Sequence, residues 1–405
     1  IASSILNSNI TKLYNVPNIK DTRITLKILR LLGCKIKQNS GKIEINSKKM
    51  NKKEILKLPI YKNQIGKYLT KKDIVSNFPH NFEIKDGIEY EYATTSGTTS
   101  DRMEIIRKPN WWKDEYKRTY SNEKKLEKYL DEKLHKVIFT TAQCSNLVCF
   151  VEKPSMEKRT IGNTLYVNNT FNPWDWTKEN IQEIIKEINY FKPYYLDADP
   201  VYLAVFLYLK EKYKIKTKIF TPTIITLSYE YVTGNLRKYI SDYFKTDIRN
   251  LYGTTEFGYA FLENENGKMH ICKDLIDIKL LPINDDESNN IYSIIIDSYK
   301  NEYMPLLNYK VGDLVQATPK EYKNFAKDGI VSKMAGREKD LIDNKISFSM
   351  LDDIISSVSS KILLYQFYFI DKNICNFKYI TLDDSEISET EMKNITNKLE
   401  DMGLN

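Results

Sequence analysis

The sequence predicts an α/β protein: a large N-terminal domain of mixed sheets with flanking helices, then a small, shortened α+β C-terminal domain. Three observations carry this. Apolar runs of strand length alternate with helical runs from about Glu54 to Asn250, short strands split by polar turns occupy 259–317, and a helix, two strands and a helix close the chain beyond Lys339.

Taken in order, Asp21 is placed to cap a helix from Thr22 to Leu32 that Gly33 ends, and a short strand follows at Ile43–Ile45. The Lys-rich stretch Lys48–Lys53 has no apolar period and reads as a boundary, giving domains at 1–50, 51–338 and 339–405. Within the large domain, helices are expected at Pro109–Tyr129, Thr177–Tyr190, Pro200–Lys212 and Val232–Phe244. Strands are expected at Glu89–Ala93, Met103–Ile106, Lys136–Phe139, Thr223–Leu227 and Asp247–Asn250. Turns such as Asn264–Gly267 and Asn284–Asn290 divide 259–317 into antiparallel sheet or a small barrel. The C-terminal unit reads as a helix over Met350–Val358, strands Leu363–Ile370 and Phe377–Leu382, and a helix over Glu389–Met402.

Composition narrows the function. With 405 residues, 41% hydrophobic and 28% charged, the chain can bury a sizeable core, which excludes fibrous, disordered and disulfide-miniprotein classes. The net charge of +7 comes from scattered lysines, so no nucleic-acid partner is expected. The five cysteines form no closely spaced framework, and the three histidines could meet in a zinc site only from distant segments. Reduced thiols in the cytoplasm are expected, with no membrane span and no signal-peptide pattern. Because Ile1 is not Met, the natural start is expected upstream.

The strongest local signal is Thr94-Thr95-Ser96-Gly97-Thr98-Thr99-Ser100, set between two apolar strands. Small hydroxyl residues around one glycine leave N–H and O–H donors free to converge on an anion. The run lacks the Gly-Lys-Ser/Thr of a Walker loop, and no G-x-G-x-x-G occurs. Downstream stand Tyr252-Gly253-Thr254-Thr255-Glu256, Tyr309-Lys310-Val311-Gly312-Asp313 and Gly336-Arg337-Glu338-Lys339-Asp340. Each is weak alone; their order and spacing are not.

With these motifs the chain resembles, over about residues 55–350, the adenylate-forming superfamily of acyl-CoA synthetases, luciferase and peptide-synthetase adenylation domains. Within it the likeness is to phenylacetate-CoA ligase and acyl-protein synthetases. Leu227-Ser228-Tyr229-Glu230, Gly267-Lys268-Met269-His270 and Met304-Pro305-Leu306-Leu307-Asn308-Tyr309 are similar to further motifs of that family. The resemblance implies an AMP-forming ligase that activates a small carboxylic acid with ATP and Mg²⁺ and passes the acyl group to CoA or to the phosphopantetheine thiol of an acyl carrier protein. Thr95, Ser96, Gly97, Thr98 and Thr99 would hold the β- and γ-phosphates. Ser228, Tyr252 and Gly253 would line the nucleotide site, with Tyr252 on adenine. Thr255 would contact the α-phosphate and Glu256 would hold Mg²⁺. Asp313 would bind the ribose with Arg337 nearby, and Lys339 stands at the family's hinge.

Departures accompany the likeness. Ser100-Asp101-Arg102 replaces the usual Gly with Lys or Pro, and Asn308 stands where relatives often carry Arg. The family's late Gly-Lys segment has no counterpart before Asn405, which predicts slow adenylation, completion by residues outside this chain, or, as the alternative reading, a nucleotide-binding protein that no longer adenylates. Residues 1–50 resemble one repeat of an enolpyruvyl transferase, through Ile1–Leu6, Tyr14–Asp21 and Leu31–Cys34, and read as a remnant or fused unit.

Overall fold

The computed structural model describes residues 10–16, 22, 25–26, 35–39, 42–46, 56, 58–62, 67–77, 89–95, 102–121, 123–140, 144–145, 148–149, 155–167, 172–283, 290–371 and 374–404. The N-terminal segment pairs β1 (Ile10–Leu13), β2 (Lys35–Asn39) and β3 (Lys42–Asn46) as an antiparallel sheet in the order β1-β3-β2, with Leu26, Ile43 and Ile45 buried beneath it. The expected strand at Ile43–Ile45 therefore lies in β3, the central strand of this sheet. Most of the expected helix over Thr22–Leu32, and the Lys48–Lys53 boundary, lie outside the described residues.

Next come α1 (Pro59–Lys62), α2 (Lys71–Asn77) and the hairpin of β4 (Glu91–Thr94) and β5 (Glu104–Arg107). α3 spans only Trp111–Tyr120, where the sequence predicts helix to Tyr129. Between Tyr120 and Leu126 the chain reads Ser-Asn-Glu-Lys-Lys, five polar residues in a row that break the 3.6-residue apolar period. The chain continues as turns that bury Leu126 and Tyr129.

Among the described residues the main sheet has nine strands. At its centre β10 (Thr164–Tyr166), β6 (Lys136–Phe139), β11 (Tyr195–Ala198), β12 (Ile224–Leu227) and β13 (Asp247–Thr254) run parallel. β9 (Thr160–Ile161) adds antiparallel at one edge. At the other, β14 (Gly258–Glu263), β15 (Met269–Ile271) and β19 (Ile330–Val331) continue antiparallel. The two short strands β7 (Cys144–Ser145) and β8 (Val148–Cys149) form a separate hairpin. β11 and β12 are buried along their whole length, as strands covered on both faces must be.

The covering helices are α4 (Lys178–Phe191), α5 (Pro200–Lys212) and α6 (Gly234–Phe244). Asp199 caps α5 ahead of Pro200, and Thr177 and Asn180 form a reciprocal capping box on α4. α5 is apolar nearly all round because it lies within a core that also takes Val137, Ile184, Ile225 and Ile240.

A second, four-stranded antiparallel sheet joins β16 (Ile276–Pro282), β17 (Ile291–Ser298), β18 (Leu306–Gln316) and β20 (Lys333–Arg337), with α7 (Pro319–Asp328) before β19. The 259–317 region is thus divided. β14 and β15 extend the main sheet, and β16–β18 build the second.

Beyond β20, α8 (Phe348–Val358), the hairpin β21 (Ile362–Asp371) and β22 (Ile374–Thr381), and α9 (Glu389–Glu400) enclose a core of Leu351, Ile355, Ile395 and Leu399. This unit is fastened to α6. The buried Asn235 amide donates to the carbonyls of Ser359 and Ile362, both at 2.8 Å, and the Gly234 N–H donates to Asp352 Oδ2 at 3.0 Å. Leu363 packs into the α4–α6 core. Asn235→Ala leaves two carbonyls without a partner and is expected to cost about 1–3 kcal/mol in urea unfolding. An unchanged midpoint would show that the clamp contributes nothing.

Candidate functional site

The candidate site forms where the end of β13 meets β18 and β20. β13 bulges between Tyr252 and Gly253 as it pairs with β14. A Cβ at Gly253 would sit 2.6 Å from the Gly258 carbonyl oxygen and 2.8 Å from Tyr259, so no larger residue fits the bulge unless the backbone shifts. The bulge and the turn after Thr254 carry Tyr252, Thr255 and Glu256, all half-buried, toward the second sheet.

There the Tyr252 hydroxyl donates to Asp313 Oδ2 at 2.7 Å. Asp313 stands opposite Arg337 in the β18–β20 register. Burial raises the Asp313 carboxyl above its ordinary range, opposed by the Tyr252 hydrogen bond and the charges of Arg337 and Lys71. Burial also raises Glu256; Asp313 adds to this and Lys71 opposes it. The Tyr252 and Tyr309 phenols are pushed well up by burial and by these carboxylates, so both remain neutral donors. Two carboxyl groups, two phenols and two cations thus converge from four segments.

Lys71 is the member that sequence reasoning missed. Leu69 bridges to Tyr309 in parallel register, with Leu69 N to Asn308 O at 3.0 Å and Lys310 N to Leu69 O at 2.8 Å. Thr70 and Asp73 then cap α2, and the Lys71 ammonium reaches Thr95 Oγ1 at 3.5 Å. The Thr70-x-x-Asp73 cap was legible; the bridge that aims Lys71 was not.

Of the other expected residues, Thr95 is buried at the end of β4, its hydroxyl accepting from Met103 N at 3.0 Å. Ser96, Gly97, Thr98 and Thr99 lie outside the described residues, as do Ser100 and Asp101. Arg102 is exposed. Ser228 is buried just past β12, one register step beyond the Leu227–Asn250 pair and so beside the segment leading to Tyr252. Lys339 is exposed in a single 3₁₀ turn, Glu338–Asp340, while Glu338 beside it is held by Lys310 at 2.6 Å.

Among the described residues no group of three or more His, Cys, Asp or Glu side chains could hold a metal by itself, and no helix is long and apolar enough to cross a membrane.

No family model matches the chain. It is 28% identical over 173 residues to Protein CapK of Staphylococcus aureus, a match covering 41% of this chain and 36% of that protein. Among solved structures it is similar to 2-hydroxyisobutyryl-CoA ligase in its postadenylation state with R3-HIB-AMP bound, with a TM-score of 0.55 at 12% identity over 82% of this chain and 72% of the ligase. It is also similar to the anthranilate CoA ligase AuaEII with anthranoyl-AMP, at a TM-score of 0.50 and 13% identity over 78% of this chain and 61% of that one. The parallel sheet, its antiparallel extension, the second sheet and the C-terminal α+β unit together give this chain the fold of the adenylate-forming CoA ligases.

Proposed function

We propose that the chain activates a small carboxylic acid with ATP as an acyl-adenylate and transfers the acyl group to CoA or to a carrier-protein phosphopantetheine thiol. The observation that carries this reading is the convergence of Tyr252, Glu256, Tyr309, Asp313, Lys71 and Arg337 at one edge of a fold whose solved examples hold acyl-AMP. The likeness to phenylacetate-CoA ligase, the division at 51–338 and 339–405, and a cytoplasmic setting belong to the same proposal.

A carboxylate attacking the α-phosphorus must approach oxygens that already carry negative charge. Positioning and donors must lower that repulsion, since no protein nucleophile is needed. In this reading Lys71 and Thr95, with Ser96–Thr99, face the β- and γ-phosphates, and Thr255 faces the α-phosphate. Asp313 takes the ribose hydroxyls once Tyr252 releases it and turns its ring to adenine. Ser228 and Gly253 shape the wall, and Arg337 balances Asp313.

The donor set fits Mg²⁺, which takes one or two carboxylates and otherwise phosphate and water oxygens. Glu256 is the carboxylate offered, and the ion would neutralise phosphate charge there. Lys339, on an exposed turn beside the anchored Glu338, would let the C-terminal unit turn between the two half-reactions.

ATP–pyrophosphate exchange against aryl, short-chain and long-chain acids tests this. Exchange with one class is the expected outcome. ATP binding with silence across the panel would instead support a nucleotide-binding protein that does not adenylate. Lys339→Ala is expected to slow thioester formation more than exchange; equal losses in both would remove its hinge role.

A further inference from the structure

The hairpin of β7 and β8 sets Cys144 directly opposite Cys149 in antiparallel register, with Ser145 opposite Val148. Only Asn146 and Leu147 lie between the two strands, so Ser145–Val148 is the pair that closes a two-residue connection and the one that exchanges backbone hydrogen bonds. Antiparallel ladders alternate, which makes Cys144–Cys149 a non-hydrogen-bonded pair. At such pairs the Cα atoms lie about 4.5 Å apart, inside the roughly 4.4–6.8 Å over which a disulfide closes.

The other described cysteines compete poorly for this chemistry. Burial pushes the Cys272 thiol up to about 11 against the opposing charge of Lys300, and burial also raises Cys375. Since the thiolate is the attacking species, both react slowly near neutral pH. The position of the hairpin gives its closure a consequence. β6 ends at Phe139 and the chain enters β7 at Cys144, so the hairpin issues from the carboxyl end of the parallel strands, the end at which β13 delivers Tyr252 and Glu256. Phe139 is itself fixed there, its carbonyl accepting from the Asp199 N–H at 2.8 Å.

We propose that Cys144 and Cys149 form a reversible disulfide that staples this hairpin when low-molecular-weight disulfides accumulate, and that the staple alters turnover at the candidate site. Bond formation is independent of the carboxylate-activating reading; the effect on turnover rests on it. The thiolate of one cysteine attacks a sulfur of the oxidant RSSR, expelling RS⁻ and leaving a mixed disulfide. The second thiolate then attacks the protein sulfur of that bond and expels a second RS⁻. The two protein thiols are oxidised, RSSR is reduced to two RSH, and the two thiol protons go to the departing thiolates. Because the hairpin has already closed the chain between the cysteines, the second step is intramolecular and outruns the return attack of free RSH. Disulfides of this transient kind are the ones that serve as sensors in a reducing compartment.

In the test, the full chain is reduced, freed of reductant, equilibrated with oxidised and reduced glutathione in graded ratio, quenched with iodoacetamide under denaturing conditions and read by mass. Free thiols should fall from five to three, with Cys144 and Cys149 the pair protected from alkylation, and dithiothreitol should restore both. Cys149→Ser should instead stop at a glutathione adduct on Cys144, whereas Cys272→Ser should keep the crosslink. Alkylation of both Cys144 and Cys149 at every ratio, or a bond joining either to another cysteine, overturns the assignment. Acid-dependent pyrophosphate exchange is then compared between the reduced and oxidised chain. A severalfold difference that Cys149→Ser abolishes is expected, as for other loops at a ligand face, and equal rates overturn the control of turnover. No exchange in either state, with the bond formed, leaves the disulfide standing and brings down the adenylation reading together with the effect on turnover.

Discussion

Glu256→Gln is expected to lower acid-dependent ATP–pyrophosphate exchange by about 10²–10³-fold, the usual loss when one preorganised electrostatic group is removed from a site of developing charge. Glutamine keeps the shape and one oxygen acceptor, so the β13–β14 turn should fold and the loss should be electrostatic. The pH profile separates this from a packing effect. Burial raises the Glu256 carboxyl above its ordinary range, so at acid pH it is protonated and would offer no full charge to the Mg²⁺ that the proposed reading assigns to it. Exchange in the natural chain should therefore rise with pH as Glu256 ionises, at a pH above the ordinary glutamate range. In Glu256→Gln the step assigned to this group should vanish, leaving only the contribution of Asp313, which burial also raises. A variant with the full rate and an unchanged profile would place the metal elsewhere.

Glu115→Ala is expected to destabilise the protein by about 3–5 kcal/mol, because it strands a buried cation. Lys300 and Glu115 are 1% and 0% exposed and meet at 3.0 Å. Glu115 also takes Arg118 at 2.8 Å and the Tyr259 N–H at 3.1 Å, and Lys300 donates to the Tyr259 carbonyl. The network thus pins both backbone groups of Tyr259, the residue across from Gly253 at the bulge. Glu115→Gln retains an acceptor for Tyr259 and should lose less than Ala. Thermal or urea unfolding reads both; equal stability in Glu115→Ala would mean that Lys300 finds water or another partner. Because the pinned strand carries one wall of the candidate site, the surviving fraction of Glu115→Ala should also bind nucleotide more weakly.

Much of the scaffold was legible because its signals are local. The cap Asp199-Pro200, the largely apolar β12 and the periodicity of α4, α6, α8 and α9 lie within single elements, and each forms within two or so residues of its expected span. The overlong α3 was misread because the polar run between Tyr120 and Leu126 breaks the helical period, whereas the expected strand Ile43–Ile45 forms within β3. The candidate site was legible in part: Tyr252, Glu256, Asp313 and Arg337 stand out as motif residues, and the structure brings them together with Lys71.

The sequence by itself determined the α/β class, the order of the elements and which residues carry chemistry, since capping, hydrophobic period and residue type act over a few positions. Only the tertiary structure decided that Leu69 bridges to β18 and so delivers Lys71, that Tyr252 reaches Asp313 across two sheets, and that tyrosines from α3, β14 and the Ser228–Glu230 loop close around Asp197. These contacts join residues tens to hundreds of positions apart. Their existence depends on packing geometry and on the cost of burying unpaired polar groups, and neither leaves a local trace in the chain.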